Sequence, residues 1–236
     1  MARISARKRN RPSWFRRLFL AFLGFTIVVP VLLIVLARFI PPVLTPLMME
    51  TWITDGSITR QWMPLSAISP NLVRAVIASE DDKFCSHYGF DFEAIDKALA
   101  NNADGGRLKG ASTISQQTAK NLFLSQNRTW VRKGIEAYLT TLIEALWPKR
   151  RIMEAYLNIV EWGPRRFGAE AAAEANFRKP AAKLSVAEAA RLATILPNPR
   201  EYRADKPGPY VVRQSAVIAA RMGQVSRDRL DACVYR

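Results

Sequence analysis

The stretch "VRKGIEAYLTTLIEALW" (131–147) decides the secondary-structure class of this chain. On a helical wheel Val131, Ile135, Tyr138, Leu139, Leu142, Ile143 and Leu146 fall on one stripe, the mark of an amphipathic helix. Glu136 lies about 20° beyond the edge of that stripe and Glu144 about 100° away from it, at 100° per residue. Glu136 is therefore expected to be half-buried, where an acid is costly unless it is paired or used. Arg132, one turn earlier at i, i+4, is its candidate partner.

Outward from this helix the same periodicity recurs in 71–79, 91–100, 150–160, 167–177, 185–196 and 210–222, and no alternating strand of useful length appears. "SVAE" (185–188) reads as a capping box, and Pro197 and Pro199 stop the helix that it starts. "GGRLKGAS" (105–112) cannot hold a helix and should be a mobile loop feeding "STISQQTAKNLF". The domain expected is all-α, without repeats. Pro-dotted residues 39–64 read as a linker or stalk lying on it, and 65–222 as the domain itself, followed by a tail over 223–236.

The start of the chain is of another kind. Arg3, Arg7, Lys8, Arg9, Arg11, Arg16 and Arg17 occur in residues 1–17 with no acid, and "LFLAFLGFTIVVPVLLIVLA" (18–37) then carries no charge. A run of that length spans a hydrocarbon core, and basic residues stay on the cytoplasmic side. It exceeds the apolar region of a cleaved signal. We therefore expect a cytoplasmic tail over 1–17, one transmembrane anchor over 18–38 and an exported domain. Beyond Arg38, 27 basic residues face 20 acidic ones. With the anchor, that surplus points to lipid phosphates rather than nucleic acid. Cys85 and Cys233 could pair in an oxidising compartment, but two unpaired buried thiols are the simpler expectation.

"VIASEDDKFCSHYG" (76–89) holds the sole histidine, His87, so any triad or zinc site must use it. No zinc motif is present, and Cys85 with His87 lacks further soft ligands. A Cys85 nucleophile would need an orienter that the sequence does not supply. Glu80 is the better candidate: it ends an apolar helix and is crowded by Asp81 and Asp82, which raises a carboxylate toward neutrality. A solvated acidic helix end explains the cluster about as well. Between Glu80 and Glu136 runs a polar, basic series, Ser112, Thr113, Gln116, Gln117, Lys120, Asn121, Arg128, Arg132 and Lys133, suited to a phosphate-bearing or sugar-bearing ligand.

Together, "EDDKFCSHYGFD", "GASTISQQTAKNLF", "RKGIEAY" and "RRIMEAYLN", with "FGAEAAAEANF" and "LSVAEAARLATILPNP", resemble the glycosyltransferase family that polymerises peptidoglycan, in its monofunctional membrane-anchored form. The resemblance covers about residues 65–222. It implies a lysozyme-like helical domain with a small membrane-proximal lobe, and a reaction joining lipid II units with release of polyprenyl diphosphate. Glu80 would be the general base. Glu136 would sit near the departing diphosphate, with Lys120, Arg128, Arg132 and Lys133 neutralising it. Ser112, Thr113, Gln116 and Gln117 would hold donor sugars and phosphate, with Asn121 among the binding residues. Asp81, Phe84, His87 and Gly89 would shape the turn that aims Glu80, with Tyr156 and Asn158 structural or on the acceptor side.

No organic cofactor is implied, and no metal-ligand set; a divalent cation, Mg or Mn, is compatible with the diphosphate. The partners implied are lipid II, the growing glycan strand, membrane lipids and other cell-wall synthesis or division proteins, with no nucleic acid. The location implied is the bacterial inner membrane. "WGPRRFG" (162–168), "ANFRKPA" and Cys85 depart from the family's usual residues. A lytic glycosidase and an anionic-lipid or nucleic-acid binding protein are the competing readings.

Overall fold

The helix that ends in Glu80, α4 (Pro70–Glu80), is sealed inside the domain. Ser69 caps it by accepting from Asn71 N at 3.3 Å, and Pro70 supplies the fixed first turn. Leu72, Val73, Ala75, Val76, Ile77 and Ala78 are all buried, so α4 turns most of its girth to the core, with Arg74 half-buried between them. Its walls are α10 (Val186–Ile195) and α11 (Pro209–Arg227). A second buried helix, α8 (Lys149–Ile159), buries Ile152, Met153, Ala155, Tyr156, Leu157 and Ile159 and lies against α6 (Ile114–Phe123). Next to α6 runs α7 (Trp130–Leu146).

This computed structural model describes residues 14–103, 111–127 and 129–235. Most of the expected loop 105–112, together with Arg128 and the first residues of the basic tail, lies outside the described residues. The expected helices are all present within a few residues at each end, and α5 (Phe92–Ala103) and α9 (Ala169–Phe177) complete them. The capping box of Ser185 and Glu188 is formed. The domain is all-α in class.

Three short strands depart from the expectation. β1 (Thr59–Arg60) runs parallel to β3 (Arg166–Phe167), which is antiparallel to β2 (Glu161–Gly163). Strands this short leave no alternation in the sequence to detect. The turn between β2 and β3 places Arg165 at φ 63°. The segment read as a linker also holds α3 (Pro46–Asp55), capped by Thr45 and ended by Gly56 at φ 77°, a conformation glycine adopts without strain. Through β1 this segment is hydrogen-bonded into the domain rather than lying on it.

The apolar N-terminal run is a single helical stretch of 26 residues, Trp14–Phe39, long and apolar enough to cross a membrane. Its halves, α1 (Trp14–Leu23) and α2 (Val29–Phe39), meet at a π turn over Gly24–Val28. Pro30 follows that turn; its missing N–H breaks the regular ladder, which the wider turn absorbs. The lower end of this helix is seated on the domain. Trp147 Nε1 donates to Ile34 O at 2.8 Å, Arg151 Nη2 to Ala37 O at 2.8 Å and Arg38 Nη1 to Leu146 O at 2.6 Å. The Arg151 guanidinium lies over the rings of both Trp62 and Trp147.

The cysteines are not unpaired thiols. Cys85 and Cys233 form a disulfide with Cα atoms 5.5 Å apart, bridging a separation of 148 residues. Folding brings the turn after α4 against the last helix, α12 (Ala232–Tyr235), a proximity that chain order cannot reveal.

Candidate active site

Glu80 sits at the carboxyl end of α4, where a buried helix surfaces into a cleft of about 390 Å³ lined also by Asp81, Asp82, Asp91, Ser112 and Arg221. Burial pushes its carboxyl up from the ordinary value, and Asp81 adds to this. The hydrogen bond from Gln117 and the charge of Lys120 oppose it. The free carbonyls of the helix end act in the same direction as burial. Gln117 Nε2 donates to Glu80 Oε2 at 2.9 Å, and Tyr156 Oη donates to Gln117 Oε1 at 3.3 Å. The Tyr156 phenol is buried and held well above its usual range, chiefly by desolvation, so it stays a neutral donor. It presents the Gln117 amide to Glu80 in one orientation.

The turn after Glu80 is fixed by its neighbour. Asp81 accepts from His87 Nε2 at 2.9 and 3.1 Å and from the backbone N of Ile114 at 3.0 Å, which ties the turn to the start of α6. Phe84 is fully buried, edge-on to His87 with ring centroids 6.5 Å apart and under the Lys149 ammonium at 4.6 Å. Gly89, at φ 86°, lies where a Cβ would meet Thr140 Cγ2 at 2.8 Å. Its carbonyl accepts from Thr113 Oγ1 at 2.6 Å.

Thr113 and Gln116 form a capping box at the start of α6. Gln116 N donates to Thr113 Oγ1 at 3.2 Å and Thr113 N to Gln116 Oε1 at 3.0 Å. Both side chains are buried and hydrogen-bonded within the helix end; Thr113 and the exposed Ser112 line the cleft, and Gln117 reaches its edge through Glu80. Asn121 accepts from Gln126 at 3.5 Å, while Asn158 spans α8 and the Met63 backbone through bonds of 2.8 Å. Neither meets Glu80 in this arrangement.

Glu136 is buried rather than half-buried, at 2% exposure. The stripe on α7 serves two surfaces: Leu139 and Ile143 face the core with Glu136 and Thr140, whereas Val131 is 75% and Ile135 45% exposed. Tyr138 donates to Thr26 O in the apolar N-terminal helix at 3.1 Å. One oxygen of Glu136 accepts from Arg132 Nη1 at 2.6 Å, the expected i, i+4 pair, and the other from Lys133 Nζ. Arg132 Nε is buried and without a hydrogen-bond partner, a donor held in reserve.

The two acids are joined by contacts. Glu80 meets Gln117, Gln117 Nε2 reaches Ser112 O at 3.5 Å, Ser112 Oγ faces Lys133 Nζ at 3.5 Å, and Lys133 holds Glu136. A base-like carboxyl thus stands at one end of a polar strip and a cation-loaded carboxylate at the other. Glu144, which the wheel turns away from the stripe, is half-buried with its side chain covered; it accepts from Ser115 Oγ and from the Lys149 ammonium, the latter at 2.7 Å. Arg221 in the cleft wall had no sequence signal beyond a charge on a helical face, whereas Asp91 closes the quoted "EDDKFCSHYGFD" stretch and accepts from Ala94 N at 3.0 Å at the start of α5.

The sequence model of one protein family, described as Transglycosylase, matches residues 48–223. The chain belongs to this family. A biosynthetic peptidoglycan transglycosylase of Rhodospirillum centenum is 52% identical over 225 residues, covering 94% of this chain and 96% of the relative. Proteins of the same description from Caulobacter vibrioides and Pseudomonas aeruginosa are 50% and 47% identical, over 93% and 92% of this chain and 96% and 95% of theirs. The transglycosylase match takes in the whole strip from Glu80 to Glu136.

For the diphosphate cation, no group of three or more His, Cys, Asp or Glu able to hold a metal occurs among the described residues, and both Glu136 oxygens are taken by cations.

Proposed function

We propose that this peptidoglycan glycosyltransferase joins lipid II units by a single inverting displacement, with Glu80 as general base. The 4-hydroxyl oxygen of the acceptor attacks the anomeric carbon of the growing strand. The bond from that carbon to the diphosphate oxygen breaks, its electron pair leaves with polyprenyl diphosphate, and the hydroxyl proton passes to Glu80. A base must be ionised to act yet basic enough to take the proton, and a carboxyl raised by burial meets that demand. At the far end, Arg132 and Lys133, arrayed by Glu136, receive the charge that develops on the diphosphate, and the spare Nε of Arg132 is a donor for it. Lys120 adds positive charge within range of Glu80.

The observation that carries this reading is the contact strip between the two acids, which supports a base at the Glu80 end and an anion site at the Glu136 end. The apolar N-terminal helix holds the enzyme in the membrane that carries its substrate, the bacterial inner membrane, with the N-terminus inside. The disulfide supports an oxidising, extracytoplasmic site for the domain. Membrane lipids and other cell-wall proteins are its further partners. Purified full-length protein mixed with labelled lipid II should give long polymer on a gel. Release of soluble fragments from preformed glycan instead would favour a hydrolase and overturn the proposal.

A further inference from the structure

The last residues of the chain lie beyond the family match, which ends at 223, yet they are fastened to the back of the active site. Asp231, buried, pairs with Arg74 Nε of α4 at 2.8 Å. Arg150 Nη1 of α8 donates to Val234 O at 3.2 Å, and the Val234 side chain is fully buried. Between these points Cys233 is bonded to Cys85, and its N donates to Cys85 Sγ at 3.3 Å. Cys85 belongs to the turn over 81–89, next to Phe84, which abuts His87; His87 holds Asp81, and Asp81 is the neighbour of Glu80 and the anchor of α6.

We infer that the C-terminal segment is a covalent clasp, and that the Cys85–Cys233 bond acts as a positioning device that holds the turn aiming Glu80. Residues 228–235 contribute no group to the cleft; they act through Cys85. The clasp closes by thiol–disulfide exchange: the two thiols give up two protons and two electrons to the disulfide of an oxidant, which leaves as the dithiol, and one S–S bond forms in the chain. Full activity thus depends on an oxidising compartment. In an intact clasp the groups around Glu80 are Asp81 on its own helix end, Gln117 and Lys120 from α6, and Tyr156 from α8, with Asp82, Asp91 and Arg221 along the cleft. Release of the turn admits water to this set.

The turnover arm of the test rests on the lipid II reading above; a second arm does not. Full-length protein is compared oxidised, reduced with dithiothreitol, reoxidised with oxidised glutathione, and as Cys233→Ser. On labelled lipid II, reduction or Cys233→Ser should lower kcat about tenfold, within the ~10²-fold that an ångström of misplacement can cost, with little change in KM. The acidic limb of the pH–rate profile should move to lower pH as Glu80 becomes hydrated, and reoxidation should restore both. In parallel, hydrogen exchange of residues 81–89 should speed up on reduction while α10 stays protected. Unchanged exchange in 81–89, or reduced protein with full kcat and an unmoved acidic limb, overturns the clasp. Absence of polymer from the oxidised wild type overturns the lipid II reading instead, and exchange then decides the clasp alone.

Discussion

Glu80 and Gln117 show how much a single contact decides. A carboxyl whose folded value is raised binds more protons folded than unfolded at intermediate pH, so it lowers stability as pH rises through that window. At neutral pH an ionised Glu80 is therefore a cost to the fold. Glu80→Gln should cut polymerisation by about 10²–10⁴-fold, the usual contribution of a positioned base, while the thermal midpoint stays level or rises. A lower midpoint with normal turnover would contradict both halves of that expectation. Gln117→Ala removes the hydrogen bond that opposes burial, so Glu80 should be harder to ionise. The acidic limb should move to higher pH, read from initial rates on labelled lipid II across a pH series. Glu80 and the Arg132–Glu136 pair were legible as types and spacings. The Tyr156–Gln117–Glu80 relay was not, because its members lie 39 and 37 residues apart and meet only after folding.

At the scale of elements, capping and close approach outweigh periodicity. The capping box at Ser185 could be read from its motif; the one at Thr113 has the same form, and its two polar side chains also close the start of α6, a role that polarity alone does not reveal. The wheel of α7 misjudged Glu136 for a related reason. It counted Val131 and Ile135 as core, and apolar residues turned outward carry the same signal as those turned in. Gly89 is where two elements touch: Gly89→Ala would put a methyl 2.8 Å from Thr140 Cγ2 at a positive φ. The turn and α7 should be forced apart, at a cost of about 1–3 kcal/mol from overpacking with added backbone strain. Chemical denaturation should show that loss. Since the Gly89 carbonyl also accepts from Thr113, polymerisation should fall with it.

Across the whole molecule the proposed topology rests on the apolar N-terminal helix and on the Cys85–Cys233 disulfide. A reporter enzyme fused after Arg236 should be active only when exported, and cytoplasmic activity would contradict the topology. The seat of the N-terminal helix has a consequence of its own. At about 1.5 Å per residue its 26 residues measure about 39 Å, against a hydrocarbon core of about 30 Å. The surplus is about six residues, which counted from the domain end are 34–39, and Ile34, Ala37 and Arg38 among them are the ones that Trp147, Arg151 and the Leu146 carbonyl grip. The enzyme therefore has no leash. Where this helix crosses a bilayer, the height of the domain above the lipid is set by the depth of the helix rather than by the length of a tether.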